Sequence, residues 1–245
     1  MRLPCAVLIS IVAASALSAQ GPGPIGSGDF AFIRGEFGIA NRLVRGAPYT
    51  AEATTEFRRT LADGNKIERT STASVARDSD GRTRRELSLE AIGPLTAARR
   101  RGTGKTIFIN DPSAGISYVL DPANRTVRQT PMRVRDPNSA PLNAKLRNNA
   151  ARKTEDLGTQ VMQGVTAQGK RVTRTIPAGQ AGNQLPLDIV TETWYSPDLQ
   201  VVVMSKTSDP RFGETSYQLT NISRAEPDHS LFVPPPEYSP AAAGR

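Results

Sequence analysis

The sequence predicts a mainly β protein: a long antiparallel meander of about ten or eleven strands curled into an incomplete barrel, with one or two short helices. Three observations predict it. Long stretches alternate apolar and polar side chains with a period of two, which is the pattern of half-buried strands. Those stretches are rich in Thr, a β-branched residue that suits a pleated surface. Turn signals separate them at short intervals, drawing on 20 Gly and 19 Pro in 245 residues, which leaves little room for long helices.

The elements follow in chain order. Residues 1–20 read MRLPCAVLISIVAASALSAQ. Arg2 precedes an apolar run from Cys5 to Leu17, and small residues follow, so residues 1–19 are expected to be a secretory signal peptide cleaved after Ala19. Cys5 precedes the apolar run rather than following it, which does not suit a lipid-modified cysteine. Residues 20–28 form a flexible lead-in, and residues 29–238 a single β domain. In its first half, 29–131, Tyr49, Ala51, Ala53, Thr55, Phe57 and Leu61 share one face of a strand. The turn Ala62-Asp63-Gly64-Asn65 supplies the conformation a hairpin needs. A second strand spans Lys66 to Arg77, closed by Asp78-Ser79-Asp80-Gly81, and a third runs from Thr83 to Ile92. Shorter strands are expected at Thr106–Asn110, Ile116–Leu120 and Thr126–Thr130.

Residues 132–153, with Pro137 and Pro141 among Asn, Arg and Ala, join the halves either as a linker or as a short helix starting at Pro141. The second half, 154–238, holds strands at Gly158–Gln163, Lys170–Ile176, Leu187–Tyr195, Val201–Lys206 and Thr215–Ile222. A turn is expected across Gly164–Gly169. Asp228 caps one short helical turn, and residues 239–245 are expected to leave the fold as a disordered tail.

Composition narrows the chemistry. One Cys and one His exclude a disulfide scaffold, a Cys/His zinc site, a haem site and a thiol enzyme,. Basic residues number 31 against 23 acidic. Without Arg2 the balance is 30 − 23 = +7. In an exported protein the polyanions at hand are phospholipid headgroups and acidic glycans, not nucleic acid. Arg99, Arg100 and Arg101 form the densest basic run. It reads as a solvated loop or as a docking patch for an anionic membrane surface. No later segment is long and apolar enough to be a transmembrane helix in the mature chain.

Several chemical motifs fail on their mechanics. Gly102-Thr103-Gly104-Lys105-Thr106 lacks the earlier glycine of a phosphate loop and runs into a strand instead of a helix. Asp78-Ser79-Asp80-Gly81 continues with Arg82 where a calcium loop needs a ligand, and its closing position falls on Leu89. Asp228, His229 and Ser230 are adjacent on one turn and do not converge as a triad. Glu86 and Glu90 stand about 13 Å apart along a strand, wider than a glycosidase pair requires. Cross-strand ion pairs on a solvated face are the plain reading of these charges. No catalytic residue, metal or cofactor is therefore expected.

Several stretches resemble a family of uncharacterised exported bacterial proteins. They are Gly46-Ala47-Pro48-Tyr49-Thr50-Ala51-Glu52, Arg77–Glu86, Tyr118-Val119-Leu120-Asp121-Pro122, Asp209–Glu214 and Leu231-Phe232-Val233-Pro234. More distantly, the order of parts is similar to periplasmic lipoprotein carriers. That resemblance implies an extracytoplasmic protein, periplasmic or extracellular, whose curled sheet holds acyl chains under short helices.

The residues themselves allow such a cup. Phe57, Leu87, Leu89, Phe108, Tyr118, Trp194 and Tyr217 are the candidate ligand-binding side chains, interspersed with Ala51, Ala53, Ala73 and Ala91, which leave room. A well-packed core under a covering loop is the alternative. The functional expectation is a non-enzymatic binding module for a lipid, an acyl chain or a lipoprotein. The competing expectation is a structural or adhesive β domain that joins a partner protein through a sheet edge or face.

Overall fold

The computed structural model of the chain describes residues 43–88, 105–132 and 151–241. Its strands are β1 (Tyr49–Thr60), β2 (Lys66–Arg77), β3 (Thr83–Ser88), β4 (Lys105–Asp111), β5 (Ile116–Asp121) and β6 (Thr126–Pro131). After the 133–150 segment come β7 (Ala151–Met162), β8 (Val165–Ile176), β9 (Leu187–Ser196), β10 (Val201–Asp209), β11 (Gly213–Ser223) and the two-residue β12 (Ser239–Pro240). A 3₁₀ helix spans His229–Phe232. Of the expected features, Ala19, Leu89 and Arg99–Arg101 lie outside the described residues, as does residue range 133–150 of the expected 132–153 linker, with the alternative helix start at Pro141; its last three residues, 151–153, are strand.

All twelve strands form one sheet in the order β12-β6-β5-β4-β3-β2-β1-β11-β10-β9-β8-β7. One meander runs outward from β1 to β6. A second, β7 to β11, returns from the opposite side, and β11 pairs antiparallel with β1 to fuse the two. The terminal strands β12 and β7 are not neighbours, so the sheet is open, an incomplete barrel as the alternation predicts.

Local chemistry explains where three boundaries depart from expectation. Gln163 and Gly164 have φ of +49° and +77°. That is the two-residue turn whose twist suits a hairpin, so β8 starts at Val165 and the expected wider turn across Gly164–Gly169 is instead strand. β7 begins at Ala151 and takes up a bulge between Asp156 and Gly158, where Asp156 Oδ1 accepts from the Gly158 N–H at 2.8 Å. At the far end, Ser239 and Ala241 do not leave the fold. Their N–H groups donate to Arg125 O and Val127 O at 2.9 and 2.8 Å, since the outer side of β6 has ladder groups to satisfy.

Register assigns every strand residue to one of two faces. On the inner face Ala53 lies between Ala73 and Leu219, and Ala73 is followed by Leu87. Ala53, Leu87, Val203 and Leu219 are essentially buried and belong to the larger core cluster. The outer face carries a second core under β2 to β5, in which Ala76, Ile107, Ile109 and Leu120 pack with Phe232. Asp228 caps the turn that carries Phe232 by accepting from the Ser230 N–H at 2.8 Å. Arg82 lies 5.5 Å over the Phe232 ring and forms an ion pair with Asp78 at 2.6 Å. The C-terminal segment is thus a strap across the outer face.

Candidate ligand-binding face

The upper end of the inner face is fixed by Arg77, which is only 6% exposed. Its Nε and Nη2 donate to Ala47 O at 3.0 and 2.7 Å, and Nη2 also donates to Leu199 O. The guanidinium stacks 4.9 Å over the Tyr49 ring. One side chain therefore ties the segment before β1 to the β9–β10 turn and to the end of β2. Burial lowers the Arg77 pKa and raises that of Tyr49, with their mutual attraction working against the rise at Tyr49,.

Below this anchor the inner face changes in rows. Ala51, Val75, Arg85, Phe108 and Val119 follow one another across β1 to β5. The next row is Leu219, Ala53, Ala73 and Leu87, which is apolar and mostly small. Hydroxyls come next: Ser205, Tyr217, Thr55 and Ser71. Toward the β1–β2 hairpin lie Thr207, Thr215, Phe57 and Arg69. Exposure rises along the same path. Thr55, Ser71 and Tyr217 are buried, whereas Phe57 and Arg69 are half-buried. Ser71 is 2% exposed, and its Oγ has no hydrogen-bond partner among the described residues.

The strand glutamates are sorted to one face, while cations stand on both. Every glutamate of the described strands lies outside by register. Glu52 and Glu56 on β1 are joined there by Glu68 and Glu86 on β2 and β3. Glu155, Glu192 and Glu214 sit on the same side of β7, β9 and β11. They form cross-strand pairs with cations: Arg171 with Glu192 at 3.0 Å and Glu155 at 3.6 Å, and Lys206 with Glu214 at 3.0 Å. The inner face instead gathers Arg69, Arg77, Arg85, Arg128, Lys170 and Arg174. Its acids are Asp121, Asp156 and Asp209, and Asp209 is held by Arg211 at 2.7 Å.

The structure brings together Phe57, Leu87, Phe108 and Tyr217 on the inner face. Of the other two described candidates, Tyr118 is not with them, and Trp194 joins the same buried cluster as Leu87 and Tyr217 from the β9 side. Tyr118 is paired with Ile109 and packs against the outer core beside Phe232. Trp194 is paired with Met204 and Gly169, and its Nε1–H donates to outer-face Glu192 Oε1 at 2.9 Å. It is only 7% exposed because its six-membered ring lies directly on Gly169. Sequence reasoning passed over Arg69, Ser71 and Arg85. The first two were findable by carrying the alternation of Val75 and Ala73 two steps further back along the same strand.

The outer face also has a shallow groove of about 270 Å³ lined by Glu52, Thr54, Thr72, Ser74, Glu86 and Lys105. Its carboxylates are already engaged. Glu86 meets Lys105 at 3.1 Å and Arg84 at 3.3 Å, and Glu52 accepts from Asn221 Nδ2 at 3.0 Å. Among the described residues no group of three or more His, Cys, Asp or Glu side chains is placed to hold a metal.

No protein-family model matches the chain, and no curated protein matches it. Solved structures do. One is the MucA/MucB complex of Pseudomonas aeruginosa, 14% identical with a TM-score of 0.46, covering 89% of this chain and 64% of that one. An uncharacterised conserved protein from Thermus thermophilus is 8% identical with a TM-score of 0.44, covering 88% and 97%. A LolA-superfamily protein from Nitrosomonas europaea is 5% identical with a TM-score of 0.33, covering 80% and 94%. The chain thus spans 64% of the MucB-complex chain it matches. Lipoprotein-carrier-like proteins, which the sequence resembles, are among these structural neighbours.

Proposed function

We propose that the protein is a non-enzymatic, exported binding module that holds a hydrophobic or amphipathic ligand, such as an acyl chain, a lipid or a lipoprotein, on the inner face. One observation carries this reading. The inner face combines a floor of Ala51, Ala53 and Ala73 with half-buried Phe57 and Phe108 and with cations, while the glutamates are all on the other side. A face serving only as packing surface gains nothing from that sorting. A face that receives an amphiphile gains about 0.8 kcal/mol for each methylene it covers, and its cations suit an acidic headgroup.

Native mass spectrometry of protein purified from an exported preparation tests this. The expected spectrum shows a lipid-sized adduct lost on denaturation. Delipidated protein is expected to bind a fluorescent fatty acid stoichiometrically, and Phe57→Arg or Phe108→Arg to abolish binding in a folded variant. Unchanged affinity in both variants overturns the site. Export itself is tested by N-terminal sequencing, with cleavage expected after Ala19. Docking of Arg99, Arg100 and Arg101 on an anionic membrane surface is tested by sedimentation with acidic vesicles and a triple alanine variant.

A second reading, a partner protein added along β7, has its own observation. β7 is a 12-residue edge strand, and Val161 near its end is 74% exposed. Crosslinking from a cysteine placed at Val161 tests it against the first.

A further inference from the structure

We infer that the contact between His229 and Arg82 is an acid-sensitive latch on the C-terminal strap, holding the strap to the outer face while the imidazole is neutral and weakening that hold when the ring takes up a proton. The inference stands apart from the ligand-binding reading and concerns the opposite face. Arg82 Nη1 lies 2.8 Å from His229 Nε2. A guanidinium has donors only and does not lose its proton in a protein. Nε2 is therefore the acceptor, and the proton of the neutral ring is on Nδ1. An imidazolium has no acceptor nitrogen, so protonation removes this bond and sets two cations against each other.

Arg82 is not free to withdraw. Its Nε donates to Asp78 Oδ2 at 2.6 Å, its backbone N–H donates to Asp78 Oδ1 at 2.8 Å, and Asp80 lies 3.5 Å from Nη2. The Arg82 side chain is 13% exposed, whereas His229 is exposed, so the imidazole is the partner that must leave. The other charges around the turn are engaged elsewhere. On the strap, Glu226 accepts from the Ser79 N–H at 2.9 Å and from Ser79 Oγ, and Asp228 caps the turn. Hydrogen bonds from Ser79 and Ser230 hold these two carboxyls below their ordinary values, so both keep their charge where an imidazole titrates. On β3, Arg84 donates to Leu231 O at 3.2 Å and meets Glu86 at 3.3 Å. On β4, Lys105 meets Glu86 at 3.1 Å, and Asp111 accepts from the Ser113 and Ala114 N–H groups. His229 is the only histidine in the chain. The closed strap keeps its ring neutral and the open strap lets it charge. The open state therefore binds more protons, and closure is favoured as pH rises.

Hydrogen exchange on the mature protein tests the latch, read at the Leu231, Val233, Ser239 and Ala241 amides, all of which donate within the strap or to β6. Rates are corrected for the intrinsic pH dependence of exchange, with β8 and β9 amides as the internal reference. Between about pH 8 and pH 5, the range in which an imidazole charges, the opening equilibrium of the strap is expected to rise about fivefold, the effect of losing one hydrogen bond. The reference amides are expected to stay level. His229→Gln keeps a side-chain acceptor that does not titrate, so its strap is expected to stay as protected at pH 5 as at pH 8. His229→Leu has no acceptor, and its strap is expected to be about fivefold more open at both. A parent strap that opens equally at the two pH values overturns the latch. So does a His229→Gln strap that follows the parent's pH response, since that response would then belong to another group.

Discussion

Replacing Gly169 by alanine isolates the contact that buries the protein's single tryptophan. A Cβ at Gly169 would stand 2.6 Å from both Cη2 and Cζ3 of Trp194 and 2.9 Å from Leu157 Cβ. Carbon atoms in contact sit about 3.5–4.0 Å apart, so the indole must retreat by about 1 Å. Overpacking of that kind costs about 1–3 kcal/mol. Alanine also restricts the unfolded chain, which returns about 0.4–1 kcal/mol. The backbone at Gly169 is not in the left-handed region, so no conformational strain enters. The net expectation is a loss of about 1–2 kcal/mol, read as a fall in urea midpoint with unchanged slope and a shifted Trp194 emission. Gly164→Ala is the control. It meets nothing within 4 Å but has φ of +77°, so it should cost about 1–2 kcal/mol through the backbone alone and leave the emission unchanged. In a Trp194→Leu background the cost of Gly169→Ala should largely disappear. A Gly169→Ala protein as stable as the parent, with unaltered emission, would refute the reasoning.

Three further outcomes follow from the same geometry. Arg77→Met removes the donors of the buried Ala47 and Leu199 carbonyls and should cost about 3 kcal/mol or more, seen as a lowered urea midpoint; a loss below about 1 kcal/mol would show the anchor to be dispensable. Glu192 is held below the ordinary glutamate value of 4.5, first by the Trp194 hydrogen bond and then by that from Arg171. A depressed carboxyl contributes stability above its unfolded pKa and loses it as pH falls through the folded one. Trp194 emission should therefore hold steady on acidification and change with a midpoint below 4.5; a midpoint at or above that value contradicts the bond. Phe232→Ala should cost about 3 kcal/mol and release the strap, so that the Leu231, Val233 and Ser239 amides lose protection from hydrogen exchange before those of β8 and β9. Equal loss everywhere would mean the strap is not a separable unit.

Most of the sheet was legible in the sequence, and the reasons for the exceptions are physical. The β1–β2 hairpin declares itself through Asp63-Gly64 between two alternating runs. The faces of β4 and β5 do not. Ile107, Phe108 and Ile109 are consecutive apolar residues, because the strap and the inner face bury both sides of β4. Period two carries no face information when both faces are apolar, so Tyr118 could not be separated from Phe108. Trp194 does pack in the cluster with Leu87 and Tyr217, but how it gets there was not legible. Its side follows from the bulge between Val202 and Met204 and its burial from the ring's seat on Gly169, and neither is local to the Trp194–Tyr195 pair. Ser71 is the opposite case. Its face was available by parity, but its significance lies in an unused hydroxyl, which only packing reveals.

The two edges bear on which surface is open to function. At one edge β12 lies against β6, and the cap contains Pro240 while β6 ends in Pro131. Proline offers no N–H for a further ladder. At the other edge β7 presents Arg152, Lys153, Glu155 and Asp156, then a bulge that breaks its register. Charges and bulges are the devices that keep an edge strand from recruiting another chain. An added strand would have to desolvate those charges or stop at the bulge, which leaves it about half the length of β7 and few ladder bonds. Both edges therefore oppose strand addition on the strength of their own residues. The confinement of the strand glutamates to the outer face has no such explanation in keeping the protein monomeric, because an evenly mixed surface would serve that purpose as well. What it does produce is an inner face of alanines and cations without a strand glutamate, and under the proposed ligand-binding reading that combination favours the inner face over either edge as the surface to test.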